Sequence, residues 1–398
     1  MPSLVEIARE WGRIGCTGFG GPPAHISMLR DLCLRRRGWL SEEQFERAVA
    51  AVQVLPGPAS TQLAIYCAWR LRGNAGALVG GVCFIAPGLV AILALSALLF
   101  TGSPPSLVLG AAAGAAAAVA AVAVRSGLDI ALPMLARSPH ARLSIIVYGL
   151  LGGLAAALTG PWLVLVLLGC GAIELARRTT RGGELRRLAL APPSLASLLG
   201  PRAPGTLRGA GAPVAAAAST GGTAALVWTA VKVGALSFGG GFVIIPLMQS
   251  DAVSTYHWMT SAQFANAVAL GQLTPGPVLQ TVAAVGFAAG GLGGGLLAAL
   301  VAFTPSFAFV MLGAEGFERR LDRPRMLAFL AGAAPAAAGA IIGVAVPLAG
   351  DLKETWQLVV LAGAAVLLLA MRGRILTTML LAALAGTVVA LFGGPLPG

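Results

Sequence analysis

The sequence predicts an all-α polytopic membrane protein made of two inverted-topology repeats, with about ten crossing helices and two re-entrant hairpins. Three observations predict it. Long runs of the chain are uncharged, a block of the first half recurs in the second at constant offset, and the basic loops of the two halves alternate in opposite senses.

Of the 398 residues, 57% are hydrophobic and 11% charged, whereas about a quarter of a soluble protein's residues are charged. Uncharged runs cover 73–124, 143–173, 209–231, 233–250, 252–314, 326–350 and 375–398. A helix crosses a bilayer with about 20 apolar residues. Small residues dominate these runs, as in GAAAGAAAAVAAVAV at 110–124, and let helices approach closely where lipid gives no hydrophobic drive. The net charge is +12, but the basic residues sit between apolar runs. That pattern orients spans rather than binding nucleic acid. The expected surroundings are a lipid bilayer, with no nucleic acid. The five cysteines lack CxxC spacing and the three histidines are scattered, so neither a metal nor a cofactor is expected. Residues 1–13 lack the successive parts of a cleavable signal.

An offset of 219 residues aligns the halves over about seventy positions. Gly15, Phe19, Gly20 and Gly21 fall on Gly234, Phe238, Gly239 and Gly240; Trp39, Gln44 and Phe45 fall on Trp258, Gln263 and Phe264. Gln53, Pro56, Gly57 and Pro58 fall on Gln272, Pro275, Gly276 and Pro277. The repeats are 1–176 and 221–398; the Arg-, Pro- and Gly-rich stretch 177–220 reads as a cytoplasmic linker.

Charge sets the orientation. The loops flanking the first Pro-Gly-Pro carry Arg35, Arg36, Arg37, Arg70 and Arg72, while their counterparts in the second repeat carry no Lys or Arg. Further on the bias reverses: 101–106 is neutral and 315–325 basic, and the loop 125–142 with Arg125, Arg137 and Arg142 answers a slightly acidic 350–356. Basic loops face the cytoplasm, so the second repeat lies upside down relative to the first.

The elements follow in order. Charges at 6–13 suggest an interfacial helix, then a Gly-broken crossing near 12–30. Because both flanks of the first Pro-Gly-Pro are basic, that segment enters and leaves on one face; Pro breaks the helix and Gly permits the turn. The alternative is a kinked but complete span. Crossings near 76–100, 107–124, 143–158 and 161–176 complete the first repeat. The second has crossings near 222–250, 295–314, 327–349, 357–371 and 375–393 around its own hairpin, leaving both termini outside.

No nucleophile–base–acid constellation, Walker motif or dinucleotide loop is present, so the chain reads as no enzyme. What remains suits an anion. Broken helices expose backbone N–H groups, and the positive end of a half-helix attracts negative charge. After the breaks stand Ser60, Thr61 and Gln62 in one copy and Gln280 and Thr281 in the other; Gln53, Gln272 and Thr274 precede them. Hydroxyls and amides can bind oxyanion oxygens without titrating, or cap the half-helices. Gly20 and Gly21, and Ser237 with Gly239 and Gly240, permit unwinding or close helix contact. Arg13 and Lys232 are matched cations, facing a substrate cavity or snorkelling to the surface.

The stretches GFGGPPAHI, LPGPASTQLAIYCAWRLRG, SFGGGFVIIPLM and LTPGPVLQTVAAVGF resemble the signatures of the chromate ion transporter family in its long two-domain form. The resemblance covers both halves, most densely 12–90 and 229–310. It implies a multi-pass bacterial inner-membrane protein that exports chromate by alternating access, driven by the proton motive force, with a link to the similarly shaped sulfate dianion. A homodimer is a further expectation. The signatures carry over onto Phe19, Gly20, Gly21, Pro56, Gly57, Pro58, Gln62, Phe238, Gly239, Gly240, Pro275, Gly276, Pro277 and Thr281. The segment TVAAVGFAAGG is more apolar than the family pattern, which bears on substrate preference. The alternatives are a carrier of sulfate or another oxyanion, and a non-transporting membrane scaffold or sensor.

Overall fold

The computed structural model describes residues 2–54, 57–102, 104–158, 163–181, 222–237, 244–318, 324–371 and 374–397. Among the described residues the fold is all helical. The stretches Ala59–Phe100, Ser106–Ala136, Pro139–Leu158, Val278–Gly313 and Pro324–Gly350 are long and apolar enough to cross a membrane. Shorter apolar helices add to them at Thr223–Leu236, Thr355–Ala370 and Ile375–Leu391.

Helix α1, Leu4–Thr17, starts at a capping box between Ser3 and Glu6. It ends at the glycine segment, where Gly20 and Gly21 take left-handed φ of 101° and 71°, values that favour glycine. Helix α2, Gly21–Arg30, then runs into a π turn, Asp31–Arg36. The stretch predicted as one Gly-broken crossing near 12–30 is therefore two short helices. Helix α3 spans Glu42–Val54.

Helix α4, Ala59–Phe100, is not a single rod. Arg72 and Gly73 leave helical geometry, and a Cβ placed on Gly80 would lie 2.5 Å from the Cβ of Ala68. Residues twelve apart in a straight helix are about 18 Å apart, so the chain doubles back. Residues 59–71 form a half-helix lying against 74–100. At 13 residues each, α3 is about 20 Å long and the half-helix is similar, too short for a hydrocarbon core of about 30 Å. Between them Gly57 has φ 131° and Pro58 is extended.

The second half repeats these pieces. Helices α8 (Thr223–Leu236), α9 (Ile245–Gln249, leading into a π turn, Ser250–Thr255) and α10 (Ser261–Leu273) precede its Pro-Gly-Pro. Helix α11, Thr281–Glu318, reverses at Gly290 and Gly291. The breaks at Arg72–Gly73 and Gly290–Gly291 stand 218 apart, one less than the spacing of α1 from α8 and of α3 from α10. The expected gap-free register therefore ends at the Pro-Gly-Pro. The second copy has one residue fewer there, and it opens with a tight 3-10 turn, Val278–Gln280.

The later helices are α5 (Ser106–Arg137), α6 (Arg142–Leu158), α7 (Leu163–Arg181), α12 (Pro324–Gly343), α13 (Ala345–Gly350), α14 (Thr355–Ala365) and α15 (Ile375–Leu391). Helix α5 corrects the predicted loop at 125–142, because it stays helical to Arg137. Helices α5, α6 and α7 pack on α12, α14 and α15 of the other half. Small residues allow this. A Cβ on Gly152 would overlap the carbonyl of Ala336, one on Gly339 that of Gly149, and one on Gly114 that of Ala382.

Candidate functional site

Each hairpin tip meets the other half of the chain. The Gly276 amide donates to the Gly18 carbonyl at 2.9 Å. His25 Nε2, also 2.9 Å away, donates to the same oxygen, and its fully buried ring stands edge-on to Phe84. Gln280 Nε2 donates to the Ile85 carbonyl at 2.9 Å, and the Pro275 carbonyl fills the space a Cβ on Gly88 would need. Reciprocally, a Cβ on Gly57 would come 3.3 Å from Ser306 Oγ on α11. These links supply partners for backbone that leaves helical geometry, which membrane depth requires.

A cavity of about 480 Å³ adjoins these tips. It is lined by Gly20, Gly21, Gly57, Ala59 and Gln272 beside the helix breaks, and by Ser126 and Asp129 of α5, Leu167 of α7 and residues of α12 from Phe329 to Ile341. Gly57 and Ala59 bracket the start of α4, and Gly20 and Gly21 the start of α2. Two positive helix ends thus adjoin one space. Gln272 adds an amide donor: the residue is buried and its Nε2 has no hydrogen-bond partner. A buried orphan of this kind needs a reason, and a negatively charged guest would satisfy it. Met326 and Ile375 also line the cavity. Each follows an exposed arginine, Arg325 and Arg374.

The cavity brings together Gly20, Gly21, Gly57 and Gln272 of the predicted residues. The others serve nearby or elsewhere. Ser60, Thr61 and Gln62 are buried in the first turn of α4, which Pro58 precedes as N-cap. Thr274 and Thr281 give their hydroxyls to the carbonyls of Leu270 and Val278, the capping alternative. Pro277 precedes the 3-10 turn. Ser237 is buried at the end of α8, and Phe19 is half-buried. Pro56, Phe238, Gly239, Gly240 and the side chain of Gln53 lie outside the described residues.

Neither matched cation lines the cavity. Arg13 pairs with Glu10 at 3.2 Å, and Glu10 also meets Arg37 at 2.6 Å. Lys232 Nζ sits 2.5 Å from Asp251 Oδ2, which accepts from Thr229 Oγ1 at 2.9 Å. The position of Glu10 in the first half is that of Thr229 in the second, so the carboxylate comes from a different element in each copy. Both cations are matched by carboxylates rather than offered to the cavity.

Sequence reasoning missed Asp129, Ser306 and His25. For Asp129 a signal existed: it lies four residues after Arg125, the spacing of a pair on one helix face. Ser306 and His25 became visible only through tertiary contact.

Comparison with known proteins gives the family. A family profile described as Chromate transporter matches residues 5–175 and 224–388. A chromate transport protein of Pseudomonas aeruginosa is 30% identical over 355 residues, 88% of this chain and 82% of that protein. A chromate transport protein of Cupriavidus metallidurans is 28% identical over 359 residues, 87% of this chain and 83% of the other. A probable chromate transport protein of Synechococcus elongatus is 28% identical over 347 residues, 87% and 84%. No solved structure matches. Because the profile covers both halves, including both hairpins and the chain around the cavity, the chain belongs to the chromate transporter family.

Proposed function

We propose that the protein is a secondary transporter that exports chromate across the bacterial inner membrane by alternating access between two inverted halves, using the proton motive force. Family membership supports the chromate role. The observation that carries the mechanism is the cavity that the starts of α2 and α4 line together with Gln272, whose amide is orphaned. Fixed dipoles and an amide donor hold an oxyanion without taking up a proton.

The charge pattern supports the export direction. The cavity reaches Met326 and Ile375, beside Arg325 and Arg374. Basic segments mark the cytoplasmic face, so this side favours loading from the cytoplasm, and the exposed arginines would steer an anion inward. Re-entry of the hairpins from opposite faces would let one half rock against the other around the cavity that both halves line.

Sulfate is the second reading, because a tetrahedral dianion of similar shape would meet the same donors. Proteoliposomes separate the possibilities. Protein-bearing vesicles should accumulate radiolabelled chromate, sulfate should compete, and Gln272→Ala should lower uptake about tenfold, the scale of one lost hydrogen bond to a charged guest. Uptake no greater than in empty vesicles would leave the scaffold reading; sulfate uptake without chromate uptake would favour the second carrier.

A further inference from the structure

One residue of the cavity wall, Asp129, is paired with a cation, Arg125, that stands behind the lining. Arg125 and Asp129 lie twelve and eight residues before the end of α5, inside its membrane-length stretch. Arg125 Nε is 2.9 Å from Asp129 Oδ1, and its Nη1 donates to the Leu368 carbonyl at 2.8 Å. The pair is not sealed: its side chains are 26% and 38% exposed. Among the described residues, Asp129 is the one charged residue lining the cavity. Ionisable groups within a span are costly and mark substrate pathways.

A dianion deep in an apolar cavity calls for a cation, and the carboxylates that hold the two cations singled out by the repeat pattern, Glu10 for Arg13 and Asp251 for Lys232, are not among the lining residues, whereas Asp129 is. Arg125 is held against the cavity by its bond to a lining carboxylate. The contacts to Asp129 and Leu368 use only part of a guanidinium's five donors, and its planar fork matches an oxyanion edge in two places.

We propose that Arg125 is the cation that receives the oxyanion, and that Asp129 is its resting counter-ion, which the arriving dianion displaces. This assignment rests on the oxyanion-transport reading above. No bond is made or broken; one negative partner of the guanidinium replaces another. Asp129 therefore competes with substrate, weakening binding in the empty protein and returning to Arg125 on release.

The assignment gives the two residues effects of opposite sign. Equilibrium binding of radiolabelled chromate is measured with the full chain in nanodiscs. Asp129→Asn removes the competitor and should tighten binding about fivefold, the scale of a partly exposed ion pair. Arg125→Gln should weaken it by about tenfold or more, with Arg125→Lys between the two because charge remains without the fork. A pair that serves only architecture would shift both variants in the same direction. Arg125→Gln also strips the Leu368 carbonyl of a donor, so Asp129→Asn, close to isosteric and leaving that bond in place, carries the test alone if the glutamine variant misfolds. Unchanged or weaker binding by Asp129→Asn, with the wild type binding normally, overturns the assignment. A wild type that binds neither chromate nor sulfate overturns the transport reading itself, and this assignment with it.

Discussion

The amide of Gly276 donates to the carbonyl of Gly18 at 2.9 Å, joining the second hairpin tip to the glycine break of the first half. His25 Nε2 gives that oxygen a second donor. Interrupted backbone in one repeat is thus completed by interrupted backbone in the other. Broken helices persist within a bilayer only with such partners.

The neighbouring contact at Gly88 tests that junction. A methyl there would strike the Pro275 carbonyl, which is backbone and cannot swing aside. Gly88→Ala should cost about 1–3 kcal/mol, the scale of core overpacking, and should abolish chromate uptake. Thermal unfolding in detergent and vesicle uptake measure the two effects. Gly363→Ala is the control, since nothing lies within 4 Å of a Cβ there; it should be neutral.

Lys232→Met should act through its partner. Asp251 would keep only the Thr229 hydroxyl, and a buried carboxylate left without its cation costs about 3–5 kcal/mol. Reduced abundance in membranes is the expected outcome. The double variant Lys232→Met with Asp251→Asn should recover abundance and uptake together, as read by quantitative blotting and vesicle assay. Recovered abundance without recovered uptake would return Lys232 to the substrate path.

Orientation of the halves is open to labelling. In a background lacking the native cysteines, single cysteines at Arg36 and Thr255, which hold the same place in the two π turns, should react with an impermeant maleimide from opposite sides of the membrane. Labelling of both from one side would exclude inverted repeats.

The sequence disclosed whatever local chemistry encodes. Pro-Gly-Pro interrupts an apolar run wherever it stands, so the break at Pro277 was readable, as was the recurrence that gives α1 and α8 matching bounds. Doubling back at Arg72–Gly73 falls in the loop that Arg70 and Arg72 marked as basic, between the re-entrant segment and the crossing near 76–100. The ionic pair on α5 was misread because Arg125 looked like the first residue of a basic loop, although helix continues for three more turns. The cavity wall of α12 was hidden for another reason. Alanines such as Ala337 and Ala338 carry no pattern that says which neighbour they face. Only packing against another element decides that.

The glycine seam between α6 and α12 has a consequence for how the polypeptide is held together. Main chain touches main chain at Gly149 with Gly339 and at Gly153 with Gly343, so at these points an acyl tail or a detergent molecule has no room to enter. Covalent continuity between the two moieties is then dispensable. If the gene is severed at codon 200 and both fragments are co-expressed, a tag on either one should retrieve its mate after solubilisation, whereas Gly339→Leu should let them part.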